Sequence, residues 1–214
     1  MAREETRQAR RALTPAPAQR WARALVVALA AAGFAVAAYM TYAKLAGGST
    51  AFCVSGSGCD VVQASRYAFF LGLPTALWGA ALYAVIGGLA VTGLPARRWQ
   101  WAFLLAVAGG AFSLYLTYLA FFDVGAACSY CLLSTALMLA LLGVLLWQRP
   151  VAAGSSASLR LSRLAWQGVA TAVVTVVAGA FVFAGSTFPA DAAYREALAR
   201  HLKDSGAIFY GAFW

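Results

Sequence analysis

The sequence predicts an all-α integral membrane protein, and three observations carry that prediction. The 214 residues are 63 % hydrophobic and only 11 % charged, with a mean hydropathy of +0.75, far from the balance of a soluble domain. Five apolar stretches reach the ~20 residues that a helix needs to cross the hydrocarbon core: Trp21 to Tyr42, Leu71 to Leu94, Trp99 to Phe122, Cys128 to Trp147 and Leu164 to Phe188. Each is helical by necessity, because a segment in lipid must satisfy its own backbone polar groups. Third, Arg3, Arg7, Arg10, Arg11, Arg20, Arg23, Arg97, Arg98, Arg149, Arg160 and Arg163 all fall on alternate connections.

Those eleven of sixteen basic residues mark the cytoplasmic side, so the N-terminus is inside and the C-terminus outside. The net charge of +9 is thereby a topological signal and does not call for a nucleic-acid partner. The first apolar stretch exceeds the ~7 to 15 residues of a signal-peptide core and has no small-residue cleavage site after it, so it reads as a true span. Residues 1–20 form a basic cytoplasmic arm, disordered over Arg3 to Pro17, and Gly154 to Ser158 is a flexible turn. On the outer side lies the loop 46–70, rich in glycine and serine to Asp60. Its second part, Asp60 to Phe70, reads as a short amphipathic helix lying in the interface, able to lid or seal the bundle.

All four cysteines fall on that outer side, as Cys53-x5-Cys59 in the loop and Cys128-Ser129-Tyr130-Cys131 at the start of the fourth span. A helix N-terminus favours the thiolate of a nearby cysteine, and the CxxC spacing allows a reversible disulfide. A CxxC disulfide closes too small a loop to add much stability, which favours exchange over a structural bridge. Four cysteines can also bind zinc or an iron–sulfur cluster, but an oxidising compartment competes with free thiolates. Leu132 after Cys131 removes the haem attachment motif CxxCH, and His201 is the only histidine. The spans hold almost no ionisable residue, which argues against an ion path. On the third span Phe112, Tyr115, Leu116 and Leu119 repeat at i, i+3, i+4 and i+7 and share one helix face, a pattern of helix packing or of a cofactor wall.

Cys53 to Cys59, then Asp60-Val61-Val62, Ser65-Arg66-Tyr67-Ala68, Gly72-Leu73-Pro74 and Cys128-Ser129-Tyr130-Cys131-Leu132 together resemble the vitamin K epoxide reductase family in its bacterial form. The resemblance covers about Ala24 to Trp147, plus a fifth span found in bacterial members fused to a thioredoxin-like domain. It implies a four-helix transmembrane bundle around a quinone over residues 21–150, with linker and fifth transmembrane helix over 151–188. It further implies a multi-pass protein of the bacterial inner membrane in which Cys53 and Cys59 relay electrons to Cys128 and Cys131. The donor would be a thioredoxin-like or DsbA-like periplasmic partner and the acceptor a quinone: ubiquinone, menaquinone or phylloquinone. Ser65 and Thr75 are the polar groups it puts near the ring, beside the stripe Phe112, Tyr115, Leu116 and Leu119. Thr75 and Thr135 stand where animal members carry Asn and Tyr, a departure that favours quinone reduction over epoxide reduction.

After the fifth span, Asp191 to Ser205 reads as an amphipathic helix and Ala207 to Trp214 as a strand ending in Trp. Such a strand precedes the redox CxxC of thioredoxin-like domains, so residues 189–214 read as the truncated start of one. The expected function is a quinone-dependent thiol oxidoreductase that supports disulfide formation in exported proteins. Vitamin K quinone or epoxide reduction is the second reading, and a non-enzymatic membrane scaffold with structural disulfides is the third.

Overall fold

The computed structural model describes residues 17–46, 58–148, 161–185, 197–198, 200–202 and 204–206. Helix α1, Pro17–Leu45, packs against α3, Thr75–Val91, and α5, Ser129–Trp147. Helix α4, Ala96–Leu119, closes the ring between α3 and α5. Helix α6, Leu161–Gly185, lies outside this four-helix bundle against α4. Between α1 and α3 come the short helix α2, Gly58–Ala64, a 3-10 turn at Arg66–Ala68, and the two-residue strands β1, Phe69–Phe70, and β2, Leu73–Pro74.

Small residues let the bundle close. Val26, Ala30, Gly33 and Ala37 follow one face of α1 at steps of four, three and four, and the ring of Tyr83 on α3 lies so close to Gly33 that a Cβ there would sit 2.2 Å from it. Close backbone approach over small residues is the usual packing device between helices in lipid. Polar tips among the apolar side chains find carbonyls. Tyr83 Oη donates to Ser134 O of α5 at 2.8 Å, and Trp99 Nε1 of α4 donates to Leu145 O at 3.0 Å. Gln100 Nε2 donates to Gln167 Oε1 at 3.0 Å, tying α4 to α6.

Two elements differ from the sequence expectation. The second span was expected from Leu71, yet the helix starts at Thr75, because Leu71 and Gly72 both have positive φ, 54° and 80°. They form a tight hairpin turn in which Phe69 faces Pro74 and Phe70 faces Leu73. The interfacial helix expected over Asp60 to Phe70 ends at Ala64. Ser65 turns extended, and its hydroxyl donates to Val62 O at 2.7 Å, a local bond that competes with helix continuation. Of the C-terminal helix and strand expected over 191–214, the structure describes helical residues at 197–198, 200–202 and 204 and a turn at 205–206. The rest lies outside the described residues.

Candidate redox site

Cys59, Cys128 and Cys131 lie together at one end of the bundle; Cys53 lies outside the described residues. Cys59 is the second residue of α2, and Gly58 before it brings the two backbones into direct contact. A Cβ on Gly58 would sit 2.4 Å from Ala127 O, the carbonyl preceding Cys128. Cys59 and Cys128 are 6 % and 2 % exposed and pack together with Met40 in one cluster. Cys128 caps the N-terminus of α5, its Sγ accepting from Cys131 N at 3.3 Å, and the Cys131 Sγ is 2.7 Å from it. The three sulfurs thus run from α2, through the helix cap, to the first turn of α5.

Cys128 and Cys131 line a cavity of about 500 Å³. Its roof is the segment from α2 to β1, with Val62, Ser65, Tyr67 and Phe70 facing in. Four contacts hold that roof to the bundle. Lys44 Nζ donates to Gln63 O at 2.6 Å, Thr75 Oγ1 to Tyr67 O at 2.8 Å, and Trp78 Nε1 to Phe70 O at 3.1 Å. Tyr67 Oη donates to Asp123 Oδ2 at 2.6 Å, with Arg66 on the same oxygen at 3.3 Å and also donating to the phenol. Asp123 is carried on a π-helical turn, Ala120–Val124, that extends α4 and closes at Gly125 with φ 71°. Burial, and then the bond to Asp123, push the Tyr67 phenol above its ordinary value against the lowering effect of Arg66.

Of the residues expected around a ring, Ser65, Thr75, Phe112 and Leu116 line the cavity. Both hydroxyls already donate to carbonyls, to Val62 and Tyr67 respectively, so towards a ligand they offer oxygen lone pairs. Tyr115 and Leu119 are not among the residues that line this cavity. Tyr115 turns to α6, its ring 6.5 Å from that of Phe183, and the cavity face of α4 is centred instead on Gly109, Phe112, Ser113, Leu116 and Thr117. Sequence reasoning also missed Tyr67, Ser113, Thr117 and Thr135 as lining residues. Thr135 stands one helical turn after Cys131 and donates to its carbonyl at 2.9 Å, while Thr117 reaches Thr135 at 3.3 Å. A polar residue four positions past a CxxC cysteine was the available signal. Among the described residues no three His, Cys, Asp or Glu side chains are placed to hold a metal ion.

Apolar walls, aromatic edges at Phe70 and Phe112, and a few hydroxyl oxygens beside a cysteine suit a flat, lipid-soluble carbonyl compound such as a quinone. The chain is 29 % identical over 199 residues to the thiol-disulfide oxidoreductase LTO1 of Arabidopsis thaliana, an alignment covering 83 % of this chain and 53 % of that protein. The chain therefore spans about half the length of the curated relative it matches. The model of the vitamin K epoxide reductase family matches residues 24–146, which contain α3, α4, all of α5 but its last residue, the roof and all four cysteines. With apolar helices long enough to cross a bilayer and this match over more than half its length, the chain is a multi-pass helical membrane protein belonging to the vitamin K epoxide reductase family.

Proposed function

We propose that this protein is a membrane thiol oxidoreductase that takes two electrons from a thioredoxin-like or DsbA-like periplasmic partner, domain or separate protein, and delivers them to a quinone. In this reading residues 21–150 are the redox bundle, 151–188 the linker and fifth helix, and 189–214 the start of a thioredoxin-like domain, in a bacterial inner membrane with the N-terminus cytoplasmic. The single observation that carries it is the buried contact of Cys59 with Cys128, backed by Cys131 at the cavity wall.

A partner thiolate attacks Cys53 of the Cys53–Cys59 disulfide, and the partner's second thiol resolves the mixed bond, leaving the partner oxidised and Cys53 and Cys59 as thiols. Cys59 thiolate then attacks Cys128 of the Cys128–Cys131 disulfide, forming a Cys59–Cys128 bond and releasing Cys131 as thiolate. Cys53 attacks Cys59, re-forming the loop disulfide and freeing Cys128. The two electrons now reside on the Cys128/Cys131 dithiol. A bound quinone supplies an acceptor for two electrons and two protons. Ser65, Thr75, Phe112 and Leu116 would hold it, with Thr135, while the roof excludes water. Restoring the Cys128–Cys131 disulfide completes the cycle, and the oxidised partner makes disulfides in exported proteins.

The test is the Cys131→Ala variant. It has no thiol to regenerate the CxxC disulfide, so quinone reduction is abolished, and mild oxidation followed by an acid quench yields a Cys59–Cys128 bond, in exchange with the Cys53–Cys59 disulfide, visible in a non-reduced digest by mass spectrometry. A Cys53–Cys128 peptide instead would reverse the order of the loop cysteines, and undiminished quinone reduction would refute the relay.

A further inference from the structure

The end of the bundle opposite the cysteines carries charge that its own helices do not balance. Arg20, Arg23, Arg97, Arg98 and Arg163 are all exposed there, and α1, α4 and α6 contain no acidic residue. Arg98 is turned aside, its Nη1 donating to Thr92 O at 3.1 Å in the turn between α3 and α4. Arg97 and Arg163 are brought together by the seam between α4 and α6. Contacts along that seam climb both helices in step. Gln100 bonds Gln167 at 3.0 Å, a Cβ on Gly168 would sit 3.6 Å from Phe103 and one on Gly179 3.0 Å from Phe112, and the rings of Tyr115 and Phe183 are 6.5 Å apart. The two helices therefore run parallel and begin at the same end.

Arg97 stands three residues before Gln100, and Arg163 four before Gln167, so each lies one turn above the bonded glutamines. At about 100° per residue, Arg97 and Trp101 turn to one side of the line joining the helices. In a parallel pair, Arg163 and Trp166 turn to that same side. The opposite side is the core, where Trp99, Phe103 and Leu164 are buried. Trp101 and Trp166 are 56 % and 74 % exposed. Packed helices lie about 8–10 Å apart, close enough for two arginine side chains to converge over their seam. The result is a crevice with two guanidinium groups at its rim and two indoles about one turn deeper, the depth order of headgroup and interface in a bilayer.

We propose that this crevice binds the headgroup of an anionic phospholipid, with Arg97 and Arg163 on the phosphate and Trp101 and Trp166 against the start of the acyl chains. Guanidinium groups match phosphate oxygens in charge and in hydrogen-bond geometry. The exposed indoles commit the site to a lipid, because inorganic phosphate has no apolar part to lay on them. Helix α6 lies wholly beyond the residues matched by the family model, 24–146, so the site belongs to the added helix. A phosphate between the two arginines neutralises like charges that otherwise oppose each other across the seam, and so holds α6 against α4. The site is independent of the acceptor reading above.

Native mass spectrometry of the full chain in detergent micelles compares binding of phosphatidylglycerol with that of phosphatidylcholine bearing the same acyl chains. The wild-type chain prefers phosphatidylglycerol. Arg97→Gln and Arg163→Gln each weaken that binding about fivefold and the double variant about thirtyfold, the scale of one and two basic residues facing an anionic headgroup. The single variants carry the test if the double variant does not fold. Arg20→Gln with Arg23→Gln removes the same charge from α1, which packs on α3 and α5, and leaves the affinity near its wild-type value. Equal losses in the two double variants would reduce the effect to general attraction by a basic end and overturn the crevice. Equal binding of both lipids by the wild-type chain, or displacement of phosphatidylglycerol by equimolar inorganic phosphate, would overturn it as well.

Discussion

Replacing Gly58 by alanine separates the geometry of electron delivery from every other property of the protein. The added Cβ would sit 2.4 Å from Ala127 O, 3.1 Å from Ala127 N and 3.2 Å from Ala127 C, all on backbone that cannot rotate away. An unstrained carbon–oxygen contact needs about 1 Å more than the shortest of these, so α2 must retreat by roughly that distance, taking Cys59 with it. Displacements of ~1 Å at a reacting pair cost on the order of 10²-fold in rate. Helix propensity acts in the opposite direction: alanine exceeds glycine by up to ~1 kcal/mol in a helix interior, and by less at the first residue of α2, where Gly58 stands. If local stability of α2 were the controlling factor, the variant would be neutral or improved. We expect turnover with a reduced thioredoxin-like donor to fall about 10²-fold, while a small dithiol that reduces Cys128–Cys131 directly supports near-wild-type quinone reduction. The assay is a paired rate measurement with the two donors, together with the yield of the Cys59–Cys128 bond in a Cys131→Ala background. Formation of that bond at the Gly58 rate in the alanine variant would refute the steric argument.

Cys53→Ala should abolish turnover with the protein donor and spare turnover with the small dithiol; equal loss with both donors would contradict the position of Cys53 at the outer end of the relay. The roof latch should respond to pH through Tyr67. Its phenol is raised above the ordinary 10.0 by burial and by Asp123, so the folded state binds this proton more tightly than the unfolded state. The latch contribution is therefore complete below that value and is lost as pH rises through the raised one. Hydrogen–deuterium exchange over residues 58–74 should accelerate in that alkaline window for the wild-type protein, and at neutral pH for Tyr67→Phe; exchange in the phenylalanine variant matching wild type would show that the latch does not hold the roof.

The apolar lengths and the two cysteine pairs made the helices and the redox centre legible, because hydrocarbon thickness and sulfur chemistry act through local sequence. What was not legible came from three-dimensional neighbours. The start of α3 depends on a hairpin turn at Leu71-Gly72, and hydropathy does not distinguish an apolar turn from an apolar helix. The stripe at Phe112, Tyr115, Leu116 and Leu119 obeys helical periodicity, but periodicity fixes only that a face exists. Which of its residues reach the cavity depends on the neighbouring helices: Tyr115 and Phe112 both lie beside Phe183 of α6, yet only Phe112 lines the cavity. Asp123 reaches Tyr67 across 56 positions, a pairing that no local pattern announces. The contact of Gly58 with Ala127 likewise arises only once the loop is folded onto the bundle.

Tyr83 gives the two halves of the relay different mechanical status. Its ring is seated on Gly33 of α1 and its hydroxyl on the carbonyl of Ser134, three residues beyond Cys131. The receiving cysteines are thereby referenced to the centre of mass of the bundle through one rigid side chain. Cys59 rides on a separate seven-residue helix, whose contacts with the bundle include Lys44 on the Gln63 carbonyl and Gly58 on Ala127. Relative motion between donor and acceptor sulfurs is therefore expected chiefly as displacement of this short helix. The bundle acts as the stator and α2 as the swinging contact, so changes that tune the speed of exchange belong in residues 58–74, whereas changes at Tyr83 or Gly33 would shift the fixed terminal itself and impair every donor alike.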